Sequence, residues 1–224
     1  MRILITAGPT YEPIDPVRFI GNRSSGRMGA ALASAASSSG ELGRAGSGER
    51  SRAAGGHSVT LILGPVTAPM PTAENVRRID VFSSRDMHDA VLREFPDHDL
   101  LIMAAAVADF RPKSVSEKKV QRSGTMTIEL ESTEDILAAA GRIKRPDQRT
   151  VGFSLVKRGE IARSRDKMRR KNCDLIVYNP LDTMSSATIE SILLYPDGRS
   201  EELPTRAKAD FAAILIRRAE ALFS

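Results

Sequence analysis

The first residues able to do chemistry lie in a loop near the amino terminus. An apolar run at 2–7 predicts a buried parallel strand, and the chain must turn at Gly8-Pro9. Three small residues, Ser24, Ser25 and Gly26, then precede an apolar helical pattern. Charged or amide side chains lie beside them in the sequence: Arg18, Asn22, Arg23 and Arg27. Backbone N–H groups at such a helix start can hold an anion. The loop favours a phosphorylated ligand, although a turn that only closes a strand–helix unit has a similar sequence.

Alternation of strand and helix patterns sets the expected fold. The patterns predict strands near 2–7, 58–64, 99–105, 149–154 and 174–178, and helices near 25–37, 84–95, 133–142, 160–171 and 206–222. This order predicts an α/β fold with a Rossmann-like, doubly wound, mostly parallel sheet and helices on both faces. With 224 residues, of which 41% are apolar, the chain suits a single domain over 1–224.

Three segments interrupt this alternation. Residues 37–56 are rich in Gly, Ser and charge, which predicts a flexible insertion with little to bury. Residues 109–131 predict an irregular arm that returns into a strand at 125–130. Residues 190–204 predict a hairpin in which 191–195 pair with 200–203 across a Pro-Asp-Gly turn.

Composition disfavours several classes of protein. One cysteine and three scattered histidines provide neither a disulfide framework nor a zinc-ligand spacing, and a reducing cytoplasm suits this. The longest apolar run, 100–108, is too short to span a bilayer, and no signal segment precedes the first strand. The net charge of +5 comes with few aromatic residues for base stacking, so polyphosphate is a better expected partner than nucleic acid.

Motifs in a fixed order resemble one known family. They are Thr-Ala-Gly-Pro-Thr at 6–10, Glu-Pro-Ile-Asp-Pro-Val-Arg at 12–18, Asn-Arg-Ser-Ser-Gly-Arg-Met-Gly at 22–29, Ala-Ala-Ala-Val-Ala-Asp-Phe-Arg-Pro at 104–112, Val-Gly-Phe at 151–153 and a Lys-x-x-x-Lys-Asn run from 167. The chain resembles the phosphopantothenoylcysteine synthetase (phosphopantothenate–cysteine ligase) family along most of its length.

The resemblance implies a nucleotide-dependent ligation in coenzyme A biosynthesis. The carboxylate of 4′-phosphopantothenate attacks the α-phosphorus of a nucleoside triphosphate and pyrophosphate leaves. The amine of L-cysteine then displaces the nucleoside monophosphate to give 4′-phosphopantothenoyl-cysteine. Features shared with bacterial members favour CTP over ATP, and hence an acyl-cytidylate intermediate and release of CMP. Mg²⁺ is the expected cofactor, because both steps build negative charge.

The resemblance also implies residue roles. It makes Asn22 and Lys119 catalytic, with Asn22 holding the acyl-nucleotide and Lys119 closing from the arm. The expected substrate-binding residues are Arg18, Ser24, Ser25, Gly26 and Ala106. The expected nucleotide-binding residues are Gly8, Met103, Ala104, Ala105, Asp109, Lys119, Glu134, Asp135, Ile136, Leu137, Phe153, Lys167 and Lys171. The metal ligands stay unassigned. Without the resemblance, Asp109 is equally well explained as a turn former, Phe153 as a core residue and Lys119 as an exposed loop residue.

The sequence departs from the family pattern at two points. Gln121 stands where the family commonly has an arm lysine, and Leu155-Val156 replaces a common Glu-Thr pair. These departures keep open an alternative, a nucleotide-binding regulatory protein that has lost the reaction. A nicotinamide-dependent oxidoreductase is a further alternative, but Gly8-Pro9-Thr10 breaks the required glycine fingerprint.

The resemblance implies partners as well. Family members are homodimers, and the strand predicted at 125–130 and the hairpin at 190–204 are the candidate contact segments. In many bacteria a flavin-dependent decarboxylase is fused ahead of this activity. No such domain precedes Met1, so either a separate chain supplies the decarboxylation or that domain has been removed.

Overall fold

The computed structural model describes residues 1–39, 56–66, 68–122, 124–181 and 186–224. The insertion predicted at 37–56 lies outside these ranges except at its two ends. None of the helices in the described ranges is long and apolar enough to cross a membrane.

Strands in the described residues are numbered here in chain order. They are β1 Arg2–Ala7, β2 Tyr11–Pro13, β3 Phe19–Gly21, β4 Ser58–Leu63, β5 Val76–Asp80, β6 Leu100–Met103, β7 Phe110–Pro112, β8 Leu130–Ser132, β9 Arg149–Val156, β10 Leu175–Pro180, β11 Thr188–Leu194 and β12 Ser200–Ala207. Eight of them form one sheet in the order β12-β11-β10-β9-β6-β1-β4-β5. Two short antiparallel pairs, β2–β3 and β7–β8, lie outside it.

The central part of the sheet is parallel. Every pairing from β5 through β4, β1, β6 and β9 to β10 is parallel, whereas β11 and β12 add antiparallel strands at one edge. Counting only the six parallel strands, the spatial order is the 3-2-1-4-5-6 of a doubly wound nucleotide-binding sheet. After β1, the chain adds β4 and β5 on one side of β1, and it then adds β6, β9 and β10 on the other side. The predicted fold class is confirmed.

Helices cover both faces of this sheet. They are α1 Arg27–Ser38, α2 Ser84–Glu94, α3 Ile136–Ile143, α4 Ile161–Arg170 and α5 Lys208–Glu220. Apolar residues of α1 and α5 pack in one core, and those of α2, α3 and α4 pack in the other. Both cores draw on β1, because alternate side chains of a strand point to opposite faces: Ile3 and Ile5 enter the first and Leu4 the second.

Some predicted elements differ from the structure. The strand expected at 125–130 was wrong: within the described residues of 113–132, β-structure forms only at Leu130–Ser132, where β8 pairs with β7 from the start of the arm. The helix expected from 133 begins at Ile136, because the Asp135 side chain accepts a hydrogen bond from the Ala138 N–H and caps it there. The edge strand β5 was not predicted. The carboxyl-terminal hairpin is confirmed as β11–β12.

Candidate active site

A cavity of about 960 Å³ opens at the carboxyl ends of the central strands. Its lining comes from the loop before α1, the segment after β6, the start of α3, the end of β9 and one side of α4. This position is the point where the strand order reverses between β1 and β6, and ligands of open α/β sheets bind in such crevices.

Most of the predicted site residues line this cavity. They are Asn22, Ser24, Ser25, Gly26, Met103, Ala104, Ala105, Ala106, Asp109, Glu134, Asp135, Ile136, Leu137, Phe153, Lys167 and Lys171. Three others do not line it: Gly8, Arg18 and Lys119. The tertiary structure therefore brings together residues from segments that lie more than a hundred positions apart in the chain.

Glycines shape the loop before α1. Gly26 has φ +74°, a left-handed conformation that a residue with a side chain rarely adopts. A Cβ atom at Gly26 would lie 2.7 Å from the Cγ1 atom of Val66, and one at Gly8, where φ is +80°, would lie equally close to the same atom. Gly8 thus serves the backbone turn beneath the cavity, whereas Gly26 lines the cavity itself.

Asn22 ties this loop to the segment after β6. Its Nδ2 atom donates hydrogen bonds to the carbonyl of Val107 at 2.8 Å and to that of Ala106 at 3.3 Å. Three threonines also form hydrogen bonds with the same segment. The Thr6 and Thr10 hydroxyls accept from the N–H groups of Ala105 and Ala108, and Thr133 donates to the Ala108 carbonyl at 2.6 Å. The backbone at 104–109 is therefore fixed before any ligand arrives.

Two lysines of the α4 region form the basic end of the cavity. Lys167 donates to the Phe153 carbonyl at 2.6 Å, and Lys171 lies 2.9 Å from the carboxylate of Asp135. Burial and the nearby charge of Lys171 lower the pKa of Lys167 to about 8. Burial opposes ionisation of Asp135, but hydrogen bonds from Lys171 and the Ala138 N–H outweigh it and lower the pKa of Asp135.

The acidic residues of the cavity differ in their pairing. Glu134 lies 3.1 Å from the guanidinium of Arg111, and Asp135 is held by Lys171. Asp109 lies at the exposed end of the segment after β6 and makes no ion pair within the described residues. In those same ranges, no group of three His, Cys, Asp or Glu side chains forms a metal-binding cluster.

Arg18 and Lys119 are the two predicted site residues whose side chains lie outside the cavity lining. Arg18 contacts the residue that follows Lys119. Arg18 follows the turn between β2 and β3, and its guanidinium binds the Asp15 carboxylate and, at 3.1 Å, the Val120 carbonyl. Lys119 immediately precedes Val120 in the arm, residues 109–131. The arm therefore rests on the 14–18 loop at the side of the cavity.

Sequence reasoning missed part of the lining, which comes from the ends of β9 and β10, the start of β11 and the start of α5. The missed residues include Leu155, Asn179, Thr188, Ile189 and Lys208. Lys208 begins α5, where the helix dipole disfavours a cation, and this unusual placement was the signal that the sequence offered. Burial, followed by repulsion from Arg27, lowers the pKa of Lys208. Within the described residues, no carboxylate pairs with either cation.

The chain is similar to known proteins over almost its whole length. A family model described as the DNA/pantothenate metabolism flavoprotein C-terminal domain matches residues 1–222. The chain is 37% identical over 226 residues to the coenzyme A biosynthesis bifunctional protein CoaBC of Vibrio vulnificus, covering 98% of this chain and 52% of that protein. The crystal structure of a CoaBC C-terminal domain superimposes with a TM-score of 0.77 at 36% identity, covering 99% of this chain and 94% of that one.

A further relative bears a different name. The chain is 42% identical over 222 residues to a cysteine/cysteine sulfinic acid decarboxylase from an unknown prokaryotic organism, covering 97% of this chain and 57% of that protein. The chain thus spans about half the length of the curated relatives it matches. From the family match over almost every residue and the motifs gathered around one cavity, we conclude that this chain belongs to the family of the DNA/pantothenate metabolism flavoprotein C-terminal domain.

Proposed function

We propose that this chain ligates 4′-phosphopantothenate to L-cysteine in coenzyme A biosynthesis, consuming a nucleoside triphosphate. The observation that carries the proposal is the single cavity in which the segments 22–29, 103–110, 132–137 and 153–171 contribute side chains. The name of the Vibrio vulnificus relative, a coenzyme A biosynthesis bifunctional protein, supports the same pathway.

In the proposed first step, a carboxylate oxygen of 4′-phosphopantothenate bonds to the α-phosphorus and the bond to pyrophosphate breaks. In the second step, the cysteine nitrogen bonds to the acyl carbon, loses a proton, and the nucleoside monophosphate leaves with the bonding electrons. Neither step needs a protein nucleophile. The contribution expected of the protein is therefore orientation of the reactants and stabilisation of negative charge.

Asn22 suits a role at the acyl centre. Its amide nitrogen has two N–H donors, and it holds the shorter hydrogen bond to Val107 and the longer one to Ala106. If Asn22 gave up the longer hydrogen bond to Ala106 and donated instead to the acyl oxygen of the substrate, the hydrogen bond to Val107 would still hold its side chain in place. A neutral donor of this kind stabilises a developing oxyanion without attracting the metal away from the phosphates.

Cations at two sides of the cavity suit the polyphosphate. Lys167 and Lys171 lie at the α4 side, whereas Arg27 and Lys208 lie at the starts of α1 and α5. Lys208 and Arg27 repel each other and have no carboxylate partner among the described residues, so an anionic ligand would relieve an existing electrostatic cost. This arrangement supports a triphosphate rather than an uncharged substrate.

Mg²⁺ is proposed to enter with the nucleotide. The described residues offer no cluster of three carboxylate, thiol or imidazole ligands, but Mg²⁺ commonly keeps several waters and binds through one carboxylate plus substrate phosphates. Asp109, which lines the cavity and makes no ion pair in the described ranges, suits that single carboxylate. When bound, the metal would withdraw charge from the phosphate oxygens.

The nucleotide is proposed to be CTP. Its base would lie beside the backbone of Met103 to Ala106, whose position is fixed by the hydrogen bonds described above. The corresponding intermediate is an acyl-cytidylate, and CMP is the released product. This preference rests on the bacterial character of the motifs.

One assay tests the proposal directly. Pyrophosphate release is measured with Mg²⁺ and 4′-phosphopantothenate, with CTP or ATP, and with or without L-cysteine. Release that depends on 4′-phosphopantothenate is expected, and the faster nucleotide is expected to be CTP. Absence of release with both nucleotides would contradict the ligase.

A regulatory protein on the same fold is the second candidate. Two observations favour it: Leu155, which replaces a polar residue of the family pattern, lines the cavity, and Gln121 replaces an arm lysine. Calorimetric binding of CTP without any pyrophosphate release would support this candidate.

The protein is proposed to act as a homodimer. Large apolar side chains are exposed on the β2–β3 hairpin and on the arm: Val17, Phe19, Phe110, Val115, Met126 and Leu130. Concentrated exposed apolar surface is typical of an interface. A decarboxylase, fused or separate, would consume the product.

A further inference from the structure

Asp15 is a buried carboxylate that the proposed reaction does not use. Its side chain lies in the turn between β2 and β3, and the residue is only 2% exposed. One of its oxygens, Oδ1, accepts hydrogen bonds from the N–H groups of Val17 and Arg18, both at 2.8 Å. This oxygen therefore serves the turn in which Asp15 itself lies.

The second oxygen of Asp15 reaches the arm. Oδ2 accepts a hydrogen bond from the N–H of Val120 at 3.1 Å, and the Arg18 guanidinium donates to the same oxygen. Arg18 also donates to the Val120 carbonyl at 3.1 Å. Both backbone polar groups of Val120 are thus held by one ion pair, although Val120 lies 105 positions from Asp15.

A neighbouring backbone contact fixes the same stretch. The Ser116 N–H donates to the Ile14 carbonyl at 3.0 Å, so the arm is joined to the 14–18 loop at two places. Between them lies Lys119, directly before Val120. Because consecutive Cα atoms are about 3.8 Å apart, fixing Val120 also restricts where the Lys119 side chain can reach.

We propose that Asp15, together with Arg18, is a positioning residue that latches the arm at Val120 and so places Lys119 for the reaction. The catalytic part of this inference rests on the proposed ligase function, whereas the attachment of the arm does not. The hydrogen bonds to Asp15 outweigh the opposing effect of burial and lower its pKa to about 2, so the latch carries its charge throughout the neutral range.

The two oxygens of Asp15 allow a selective variant. Asp15→Asn can keep the acceptor that serves Val17 and Arg18 while it places an NH2 group opposite the Val120 N–H and the guanidinium. Donors would then face donors, and the arm would lose its attachment while the turn remains. Glu129→Gln is the matched control, because it removes the Lys113–Glu129 ion pair within the arm without touching the latch.

Limited trypsin digestion tests the attachment. Trypsin cleaves after Lys118, Lys119 and Arg122, and cleavage of a folded chain requires local release of the segment. Asp15→Asn is expected to speed cleavage at these sites by about 10-fold with an unchanged thermal midpoint, and Glu129→Gln is expected to leave the rate unchanged. An unchanged rate in Asp15→Asn would overturn the latch.

A double-mutant cycle tests the catalytic part. If Asp15 acts through Lys119, Asp15→Asn should lower kcat by about 10-fold in the wild-type chain but by less than about 2-fold in a Lys119→Ala background. Equal losses in the two backgrounds would overturn a positioning role. Failure of the wild-type chain to release pyrophosphate would overturn the proposed function and this catalytic part together, and the digestion would still decide the attachment.

Discussion

At the residue scale, the pairing of each charged side chain decides what it can offer a ligand. Glu134 and Asp135 are occupied by Arg111 and Lys171, so they shape the wall of the cavity. Lys208 and Arg27 lack such partners among the described residues, so their positive charge is available to an anionic ligand in the cavity. The resemblance identified Glu134 and Asp135 as site residues but gave no reason to select Lys208. Whether a charged side chain has an ion-pair partner is a property of the folded chain.

Removal of either predicted catalytic side chain should stop turnover without unfolding the chain. Asn22→Ala and Lys119→Ala are each expected to lower kcat by at least about 100-fold, because each removes a donor or charge from the developing negative charge. The rate of pyrophosphate release, compared with the thermal midpoint, measures this. Ser38→Ala, at an exposed position of α1, is the control. Near-normal rates in both variants would remove these two residues from the site.

The pKa of Lys167 predicts a pH dependence. Burial and the charge of Lys171 lower that pKa to about 8, so the positive charge is present below this pH and is lost above it. If Lys167 attracts the nucleotide, kcat/KM for the nucleotide should fall as pH rises through about 8, since this ratio reports ionisations of the free enzyme.

Two variants separate this effect from other ionisations. Lys167→Gln should have a low kcat/KM without the fall near pH 8, and Lys167→Arg should keep its charge and move the fall to higher pH. A fall of the same size at the same pH in Lys167→Gln would show that another group titrates there.

At the element scale, the close approach of α1 to β1 places the anion-binding loop. Gly29 is buried at this contact, and a Cβ atom there would clash with the Cβ of Ala7 and lie 3.0 Å from its Cα atom. The absence of a side chain thus allows the first turn of α1 to lie directly against the end of the strand.

Gly29→Ala is therefore expected to destabilise the fold by about 1–3 kcal/mol through overpacking. Urea unfolding measures the change, and Ser34→Ala on the exposed face of the same helix should change the free energy of unfolding by less than about 0.5 kcal/mol. Equal stability of the two variants would mean that α1 shifts away from β1 at little cost.

Sequence reasoning missed the edge strand β5 and misplaced the strand of the arm, each for a different physical reason. β5 carries Arg77, Arg78 and Asp80 and lies at the sheet edge, so half of its hydrogen-bonding groups and most of its side chains face solvent. The alternating pattern at 125–130 predicted a strand, but pairing with β7 begins only at Leu130. An alternating pattern indicates a strand only where a partner edge is within reach.

At the scale of the whole molecule, exposed apolar surface predicts self-association. Sedimentation at micromolar concentration should give a mass near twice the 24.3 kDa of one chain. Leu130, which is 44% exposed, lies in the arm, and Leu130→Glu is expected to shift the protein toward monomer because a charge would be buried at the contact. Arg93→Gln, at an exposed position of α2 outside both candidate contact segments, is the control. A wild-type monomer would contradict the dimer.

The sequence by itself determined the fold class and most of the cavity residues. Short apolar runs alternating with helical patterns require a parallel sheet with helices on both faces, and the motif at 22–29 lies next to the strand that such a sheet places at its switch point. Local patterns and a family resemblance contain this information, because each motif is continuous in the chain.

Only the tertiary structure decided which distant groups meet. The contact of Asp15 and Arg18 with Val120, and the approach of Lys208 to Arg27, join segments separated by about a hundred residues or more. These contacts depend on how the arm lies against the 14–18 loop and on how α5 packs beside α1. No local spacing in the sequence encodes these contacts, because they depend on how distant segments pack in the folded chain.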